Sequence, residues 1–373
     1  MKKLNLNIRF SKALGRNVAI ITLPEKYQVL SSAIVGGGFT LADTFVILQV
    51  DENYHNPHPE DDLLQACKCL GIDNAVGFMT AADIKKVLST STETIGEIEA
   101  IAVVTAGTSN AVIAGDQNAL QMGPSSANTG TINVISVLNV PLEKSALVNA
   151  AITVTEAKTA ALLELGIKAT GTTTDAIAIA TPIGDGYKYA GTATKVGMAI
   201  SKSVKNAVMT SIKKAGEAPP PMDILKMLQE MGVDPQDLWE TAKELYVHNP
   251  NWNTETLKNM FINLLNNLRK DVNVNALFLA AAILDEIGRR GEIYGLSPEE
   301  FIRDPVHLIA DEMIGMILAE YIAGIKGLLE YERYDREKPR IIRKLGPFLD
   351  DAVASLIGGI MSRIYTKLLE EET

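Results

Sequence analysis

Histidine and cysteine are scarce in this chain, with 4 His and 2 Cys among 373 residues. Cys67 and Cys69 stand one residue apart, too close for an ordinary structural bridge, and read as thiols of a reducing, cytoplasmic compartment. So few histidines argue against a Cys/His zinc site. Long hydrophobic runs are missing too. No uninterrupted apolar stretch approaches the roughly 20 residues that cross a bilayer, so no stable membrane insertion is expected. The opening residues MKKLNLNIRF contain two lysines but no apolar core and no small-residue cleavage site, which argues against a secretory signal. A basic stripe with interleaved aromatics is also lacking, so nucleic acid is not an expected partner.

What is present divides into two unlike halves. Apolar residues make up 47% and charged residues 21%, the balance of an ordinary globular protein, and the length suggests two domains. Pro219, Pro220 and Pro221 cannot sit inside a helix or a central strand and form a short stiff spacer. Before them, residues 1–218 carry 18 Lys and Arg against 19 Asp and Glu; after them, residues 219–373 carry 17 against 26. The first half is therefore near neutral and the second is at −9. The sequence predicts a mixed α/β (α+β) domain over 1–214, a proline-rich linker at 215–222 and an all-helical domain over 223–373. If the acidic half handles a phosphate, it needs a metal cation, because carboxylates alone repel one.

In the first half, 17–23, 31–35 and 43–50 are short β-branched runs that predict strands. A polar loop at 51–62 holds His55 and His58 and is a candidate substrate-facing loop. Short helices are predicted at 61–70 and 82–88. The strand at 99–105 runs into AGTSNAVIAGD, a small, hydroxyl-rich strand end that lets a polar ligand lie close to the main chain. A flexible loop is expected at 117–129, then Gly130-Thr131-Ile132-Asn133 and a strand. The 3.6 period predicts a helix from Ser145 to about Leu165, followed by a Thr-rich turn with Asp175, a strand, and a final helix at 192–214.

The ordered blocks TAGTSNAVIAGD, GTINVISVLN, TEAKTAALLELGI and TGTTTDAIAIAT, spread over about 30–212, resemble the adenosylcobinamide amidohydrolase family. The resemblance implies hydrolysis of the amide that ties the aminopropanol arm to the corrin ring, releasing adenosylcobyric acid, with no cofactor. Amide hydrolysis needs a nucleophile or activated water, a proton donor for the leaving amine and donors for the oxyanion. In the matching blocks, Thr131 or Thr105 is the candidate hydroxyl and Glu156 or Asp175 the candidate acid/base. Lys158 is the candidate charge stabiliser, and Asn110 or Asn133 the candidate oxyanion donor.

From Met222 onward the pattern is helical: 223–231, 235–247, about 254–268, 272–290, a short helix from Pro298, a long apolar helix over 306–329, and a last helix from about Pro347. Acidic residues recur inside apolar runs, in LIADEMIGMIL, ERYDREKP and GPFLDDAVASLIGG. Burying such carboxylates unpaired costs several kcal/mol each, so convergence on Mg²⁺ is expected. The triplet resembles the phosphatidylglycerophosphatase A family, with a closer likeness to its soluble helical relatives, the α-ribazole 5′-phosphate phosphatases, over about 223–365. That resemblance implies Asp311, Glu312, Asp335, Asp350 and Asp351 as metal ligands, with Asp350 or Asp351 able to serve as the water-activating base. It implies Lys338 as a phosphate contact and His248, Asn275 and Asp285 as substrate or supporting groups.

Both reactions belong to cobamide assembly, so the expectation is a bifunctional salvage enzyme acting on a corrinoid and on α-ribazole phosphate or cobalamin phosphate. Two alternatives stand beside it: another phosphomonoester, such as phosphatidylglycerophosphate, for the helical half, or one half being a non-catalytic corrinoid- or nucleotide-binding module. A homo-oligomer is compatible with all of them.

Overall fold

The computed structural model describes residues 4–117 and 130–371, so the loop expected at 117–129 lies outside them from residue 118 onward. Two compact units emerge, Met1–Pro219 and Pro220–Thr373.

In the first unit, β-branched runs build one large sheet. Its strands are β1 (Asn7–Ala13), β2 (Arg16–Ser31), β3 (Gly38–Gln49), β4 (Val76–Thr80), β5 (Ser89–Ile95), β6 (Ile98–Ala106), β8 (Ile132–Leu138) and β10 (Ala176–Thr181). The order is β4-β3-β2-β10-β8-β6-β5, with β1 added to β2; β7 (Ala111–Val112) pairs separately with β9 (Gly171–Thr172). The β3–β4 and β8–β10 pairs are parallel and the others antiparallel. Every residue of β6 and β8 is buried, as expected for strands covered on both faces.

Helices α3 (Lys144–Glu164) and α4 (Lys195–Ala215) cover one face, setting Leu147, Val154 and Ile200 against Val104, Val134 and Ile179. Each such fully buried aliphatic side chain contributes about 1.5–3 kcal/mol. Helix α1 (Pro59–Cys69) seals the β3–β4 corner through Leu63 and Ala66, and α2 (Ile84–Val87) follows β4.

Two readings of this half change. The strand expected at 31–35 is absent: β2 ends at Ser31, where the hydroxyl turns back to accept from the Ala33 amide. Gly36 then takes φ +68, and a Cβ there would collide with the Ala75 carbonyl. Conversely, β2 does not stop at Leu23. It continues past Pro24 through a register shift between Thr22 and Tyr27, a bulge that accommodates the missing N–H.

The second unit is helical: α5 (Ile224–Glu230), α6 (Pro235–Glu244), α7 (Thr254–Leu268), α8 (Val272–Arg289), α9 (Pro298–Phe301), α10 (Ala310–Glu337) and α11 (Pro347–Glu371). The starts of α5 to α9 are set by Asp223, Asp234, Asn253, Asp271 and Ser297, each accepting first-turn amides. Such caps are worth about 1 kcal/mol apiece.

The long helix expected at 306–329 is displaced and broken. α10 begins at Ala310, and Ala323 and Gly324 leave helical geometry, Gly324 at φ 64 and ψ −156, a region essentially reserved for glycine. The break folds α10 into a hairpin. Its two arms approach so closely that a Cβ on Gly315 would meet the Tyr331 ring, and one on Gly327 the Ala319 carbonyl. Helix α11 packs along both arms: Ser355 donates to the Gly315 carbonyl and Arg363 Nε to the Ile322 carbonyl freed at the break, each at 2.6 Å, and a Cβ on Gly358 would collide with the Tyr331 amide of the second arm. By length and composition α3 and α11 could each cross a membrane, contrary to the expectation from uninterrupted runs. In these units 50% and 67% of those stretches are buried inside protein, as in core helices.

Candidate functional sites

In the first unit, a cavity of about 290 Å³ opens where the end of β4 meets the starts of β8 and β10. Its wall includes Thr131, Asn133, Thr174 and Asp175, with Tyr54 and His55 of the 51–58 loop. The polar groups come together because both parallel strands begin here, β8 directly after Gly130-Thr131 and β10 after the Thr-rich turn at 172–174. Asn133 Nδ2 ties the ends, donating to the Met79 carbonyl at 2.9 Å and to Thr105 Oγ1 at 3.3 Å.

Asp175 is the best-held group of the cavity. Its carboxylate accepts from the backbone amides of Ile132 and Thr172, each at 3.0 Å, from the Thr172 hydroxyl, and from the ammonium of Lys158. Lys158 is buried, and a buried ion pair is sustained by hydrogen bonds to its remaining valences, which on the carboxylate side Ile132 and Thr172 supply. Gly171 is required for this approach: a Cβ there would stand on the Asp175 carboxylate and the Lys158 ammonium. Thr131 Oγ1 donates to the Thr174 carbonyl at 3.0 Å, and Thr174 Oγ1 to the Gly130 carbonyl at 3.1 Å, stitching the two strand starts together.

The sequence-based candidates separate accordingly. Thr131, Asn133 and Asp175 line the cavity, and Lys158 stands behind Asp175. Thr105 is fully buried behind Asn133 rather than on the wall. Asn110 donates to Thr173 Oγ1 at 2.8 Å, bracing the turn before Asp175, while its buried Oδ1 has no hydrogen-bond partner among the described residues. Asn133 commits its amide donors to Met79 and Thr105, so it is a brace rather than an oxyanion donor. Glu156 is not brought in: it is exposed, because two helical positions turn it about 200° from Lys158. Tyr54 and Ser32 were missed, although the 51–62 loop had been marked as substrate-facing. The Tyr54 hydroxyl donates to Asp62 at 2.8 Å, fixing that loop on α1.

In the second unit, the α10 hairpin explains how acidic residues far apart in sequence meet. Asp311 and Glu312 open its first arm, Asp335 closes its second, and Asp350 ends the first turn of α11 with Asp351 next to it. Oxygens of Asp311, Glu312 and Asp351 lie within 4.8 Å of one another, as do those of Asp335, Asp350 and Asp351. Asp351 belongs to both groups, so the five form one cluster. Tyr331 donates to Asp351 Oδ1 at 2.6 Å.

Positive charge is short in this cluster. Among the described residues its ammonium partner is Lys338, with Nζ 2.7 Å from Asp350, 2.8 Å from Asp304 and 3.8 Å from Asp335. Burial pulls Lys338 down, but the bonds to Asp304 and Asp350 outweigh it and hold its pKa above the usual ammonium range. Burial pushes Asp350 up to about 7 despite Lys338. Burial, followed by the side-chain hydrogen bond with Glu312, pushes Asp311 to about 8, while burial with the charges of Asp335 and Asp350 pushes Asp351 to about 9. Glu312 Oε2 and Asp350 Oδ1 are buried without a hydrogen-bond partner among the described residues. An all-oxygen donor set, too little positive charge and orphaned oxygens fit a hard divalent cation.

The remaining candidates of this unit play other parts. Asp285 accepts the Phe348 amide at 3.0 Å and caps α11 from α8; burial raises its pKa to about 6 against those bonds. Asn275 spends its amide on the Ile224 amide and the Arg269 and Asp271 carbonyls, joining α8 to α5. It stands ten residues before Asp285, about 15 Å along the helix. His248 is exposed and meets Tyr246 edge-on with ring centroids 6.2 Å apart. The neighbouring Val247 amide donates to Tyr365, a residue about 20 Å along α11 from Asp351. Asn275 and His248 are therefore not parts of the acidic site.

A family model for adenosylcobinamide amidohydrolase matches residues 2–220. An adenosylcobinamide amidohydrolase of Methanosarcina mazei is 31% identical over 202 residues, spanning 51% of this chain and 92% of that protein. An uncharacterized protein of Methanocaldococcus jannaschii is 38% identical over 115 residues, 30% of this chain and 84% of its own length. Among solved structures, the low temperature requirement C protein from Listeria monocytogenes aligns with 39% of this chain and 93% of its own, at 21% identity and a TM-score of 0.34.

Proposed function

The chain belongs, through residues 2–220, to the adenosylcobinamide amidohydrolase family, and from that premise we propose that its first unit hydrolyses the aminopropanol amide of adenosylcobinamide to adenosylcobyric acid. The observation that carries the site assignment is the cavity joining Thr131 and Asp175, from two separate motif blocks, to His55. Water is added across the C–N bond: the acyl carbon gains the hydroxyl oxygen and the leaving amine gains a proton. Asp175, fixed by four donors, takes the proton of the attacking group: a water beside Thr131, or the Thr131 hydroxyl itself, in which case a water then hydrolyses the ester formed on Thr131 and frees the acid. Lys158 holds Asp175 in place. His55, on the loop side of the same cavity, returns a proton to the amine. Measuring adenosylcobyric acid release by Asp175→Asn and His55→Gln tests these roles; full activity in Asp175→Asn removes the assignment.

For the helical unit we infer a Mg²⁺-dependent phosphomonoesterase acting on α-ribazole 5′-phosphate or on adenosylcobalamin 5′-phosphate. The supporting observation is the five-carboxylate cluster with two orphaned oxygens. Asp311, Glu312, Asp335, Asp350 and Asp351 would hold the ion, which when bound offsets phosphate charge and lowers the pKa of water. Asp285 steadies the first turn of α11, and with it Asp350 and Asp351. Lys338 is placed as a counter-ion to Asp350 rather than as a free phosphate contact. Phosphate release from α-ribazole phosphate and from phosphatidylglycerophosphate, each with Mg²⁺ and with EDTA, decides between the substrates. Binding of α-ribazole phosphate without turnover would instead identify a non-catalytic module.

A further inference from the structure

The stretch expected as linker begins inside the first unit, which runs to Pro219. Helix α4 ends at Ala215, and the Glu217 amide turns back to the Ile212 carbonyl at 3.2 Å, fixing the main chain there. From this point the exposed Glu217 side chain reaches the turn that follows β6. Its Oε2 accepts both from the Thr108 amide and from the Thr108 hydroxyl, the latter at 2.7 Å. That turn, residues 107–112, grips both strand starts of the cavity. The Gly107 amide donates to the Thr131 carbonyl at 2.9 Å, and Asn110 Nδ2 to Thr173 Oγ1 at 2.8 Å. Strand β7 pairs with β9, whose Thr172 holds Asp175 through its amide and its hydroxyl. Gly107 stands between clasp and strand: a Cβ on it would lie 3.7 Å from Gly130 Cα and 3.8 Å from Glu217 Oε1.

We propose that Glu217 is a positioning residue for amide hydrolysis, holding the 107–112 turn and, through it, Thr131 and Asp175. The inference rests on the amidohydrolase reading of this cavity. A neighbouring tie, from the Ala106 amide to Ser211 Oγ at 2.8 Å, anchors the end of β6 rather than the turn itself. Bonds to a carboxylate are roughly twice as strong as those between neutral groups, and here two of them fall on one oxygen. Glu217 is not part of the cavity wall, so its loss acts on the placement of the reacting groups rather than on substrate binding. A shift of about 1 Å in such a placement costs about 10²-fold in rate.

The test is steady-state release of adenosylcobyric acid from adenosylcobinamide by the full chain. Glu217→Ala is expected to lower kcat about 10–10²-fold with KM within about twofold, at a temperature where circular dichroism shows it folded. Glu217→Gln keeps an acceptor oxygen at the same reach and should restore kcat to within about threefold of wild type. Thr108→Val removes only the hydroxyl donor and should cost less; added to Glu217→Ala it should cost nothing further, as for two partners of one contact. If Glu217→Ala does not fold, Thr108→Val makes the measurement: a lowered kcat at unchanged KM supports the clasp, and an unchanged kcat overturns it. Wild-type kcat in Glu217→Ala, a rise in KM alone, a loss that Gln does not restore, or additive losses in the double variant each overturn the proposal while the amidohydrolase reading stands. A wild type that releases no adenosylcobyric acid overturns the reading and the proposal together.

Discussion

Asp175, partly buried, and Asp351, fully buried, both stand at candidate active centres, yet their surroundings are opposite. Asp175 is met by an ammonium, two amides and a hydroxyl, and is complete as it stands. Asp351 has the Tyr331 hydroxyl and four acidic neighbours, and the cluster around it has more negative charge than the protein balances. The two places differ in whether the chain itself supplies the donors that compensate a carboxylate withdrawn from water. The first centre can orient a substrate unaided, and the second needs something brought to it.

The largest expected effect lies in activity. Asp350→Asn with Asp351→Asn should lower Mg²⁺-dependent phosphate release by at least about 10³-fold, since both ligation and base function go together. Amide hydrolysis by the same protein should stay within about twofold. Asp175→Asn should do the reverse, costing about 10²–10⁴-fold in adenosylcobyric acid formation. Two steady-state assays on the three proteins check this; a loss of both activities in either variant breaks the division of labour between the units.

Stability should separate the centres by sign. Asp175→Asn strands the buried Lys158 ammonium and should destabilise the first unit by about 3–5 kcal/mol. Asp351→Asn relieves repulsion while retaining an acceptor for Tyr331, so in EDTA it should raise the melting temperature of the helical unit. Calorimetry of the full chain in EDTA at pH 8 reads both; shifts in the same direction contradict the contrast.

The pH dependence sharpens it further. In metal-free protein the folded forms of Asp350, Asp311 and Asp351 titrate near 7, 8 and 9, whereas unfolded carboxylates titrate near 4. Between those values the folded state binds more protons, so stability falls as pH rises. The contribution is whole below about pH 4 and is lost progressively through about pH 9. Melting temperatures of the helical unit in EDTA should therefore decline from pH 6 to pH 9, and saturating Mg²⁺ should flatten the decline. Parallel curves with and without Mg²⁺ would count against cation binding at the cluster.

Sequence and structure agree where local chemistry decides and part where a single residue redirects the chain. The acidic pairs were legible because carboxylates in apolar helical runs are conspicuous, and the start of α6 was legible from Asp234-Pro235, whereas α7 is capped by Asn253, one residue before the expected Thr254. The convergence of the acidic pairs was expected from the cost of burying unpaired carboxylates, but the hairpin that brings it about was not, since it hangs on Gly324, and one glycine in a helical run is usually tolerated at about 1 kcal/mol. In the first unit Pro24 signalled a strand end, but a bulge absorbed it and β2 ran on. Motif blocks identified Thr131 and Asp175, while Glu156 shared the block of Lys158 and still faced solvent, because sequence adjacency does not fix a helical face. Tyr54 and Ser32 carried no motif; only the closure of β4 onto β8 brings them to the cavity wall.

The smallest expected effects fall on the two candidates that the fold removes from the acidic centre. Asn275→Ala deletes three hydrogen bonds that hold the start of α8 to its surroundings. At about 1 kcal/mol per bond, partly recovered by water at this half-exposed site, the loss should be about 1–2 kcal/mol of unfolding free energy with phosphate release unchanged. His248→Ala removes one edge-on ring contact at an exposed position and should shift stability by less than about 0.5 kcal/mol. Denaturant midpoints and turnover, measured together, check both variants. A drop in turnover for either at unchanged stability would place that residue at the substrate after all, and would mean that the phosphate site extends beyond the carboxylates gathered by the α10 hairpin.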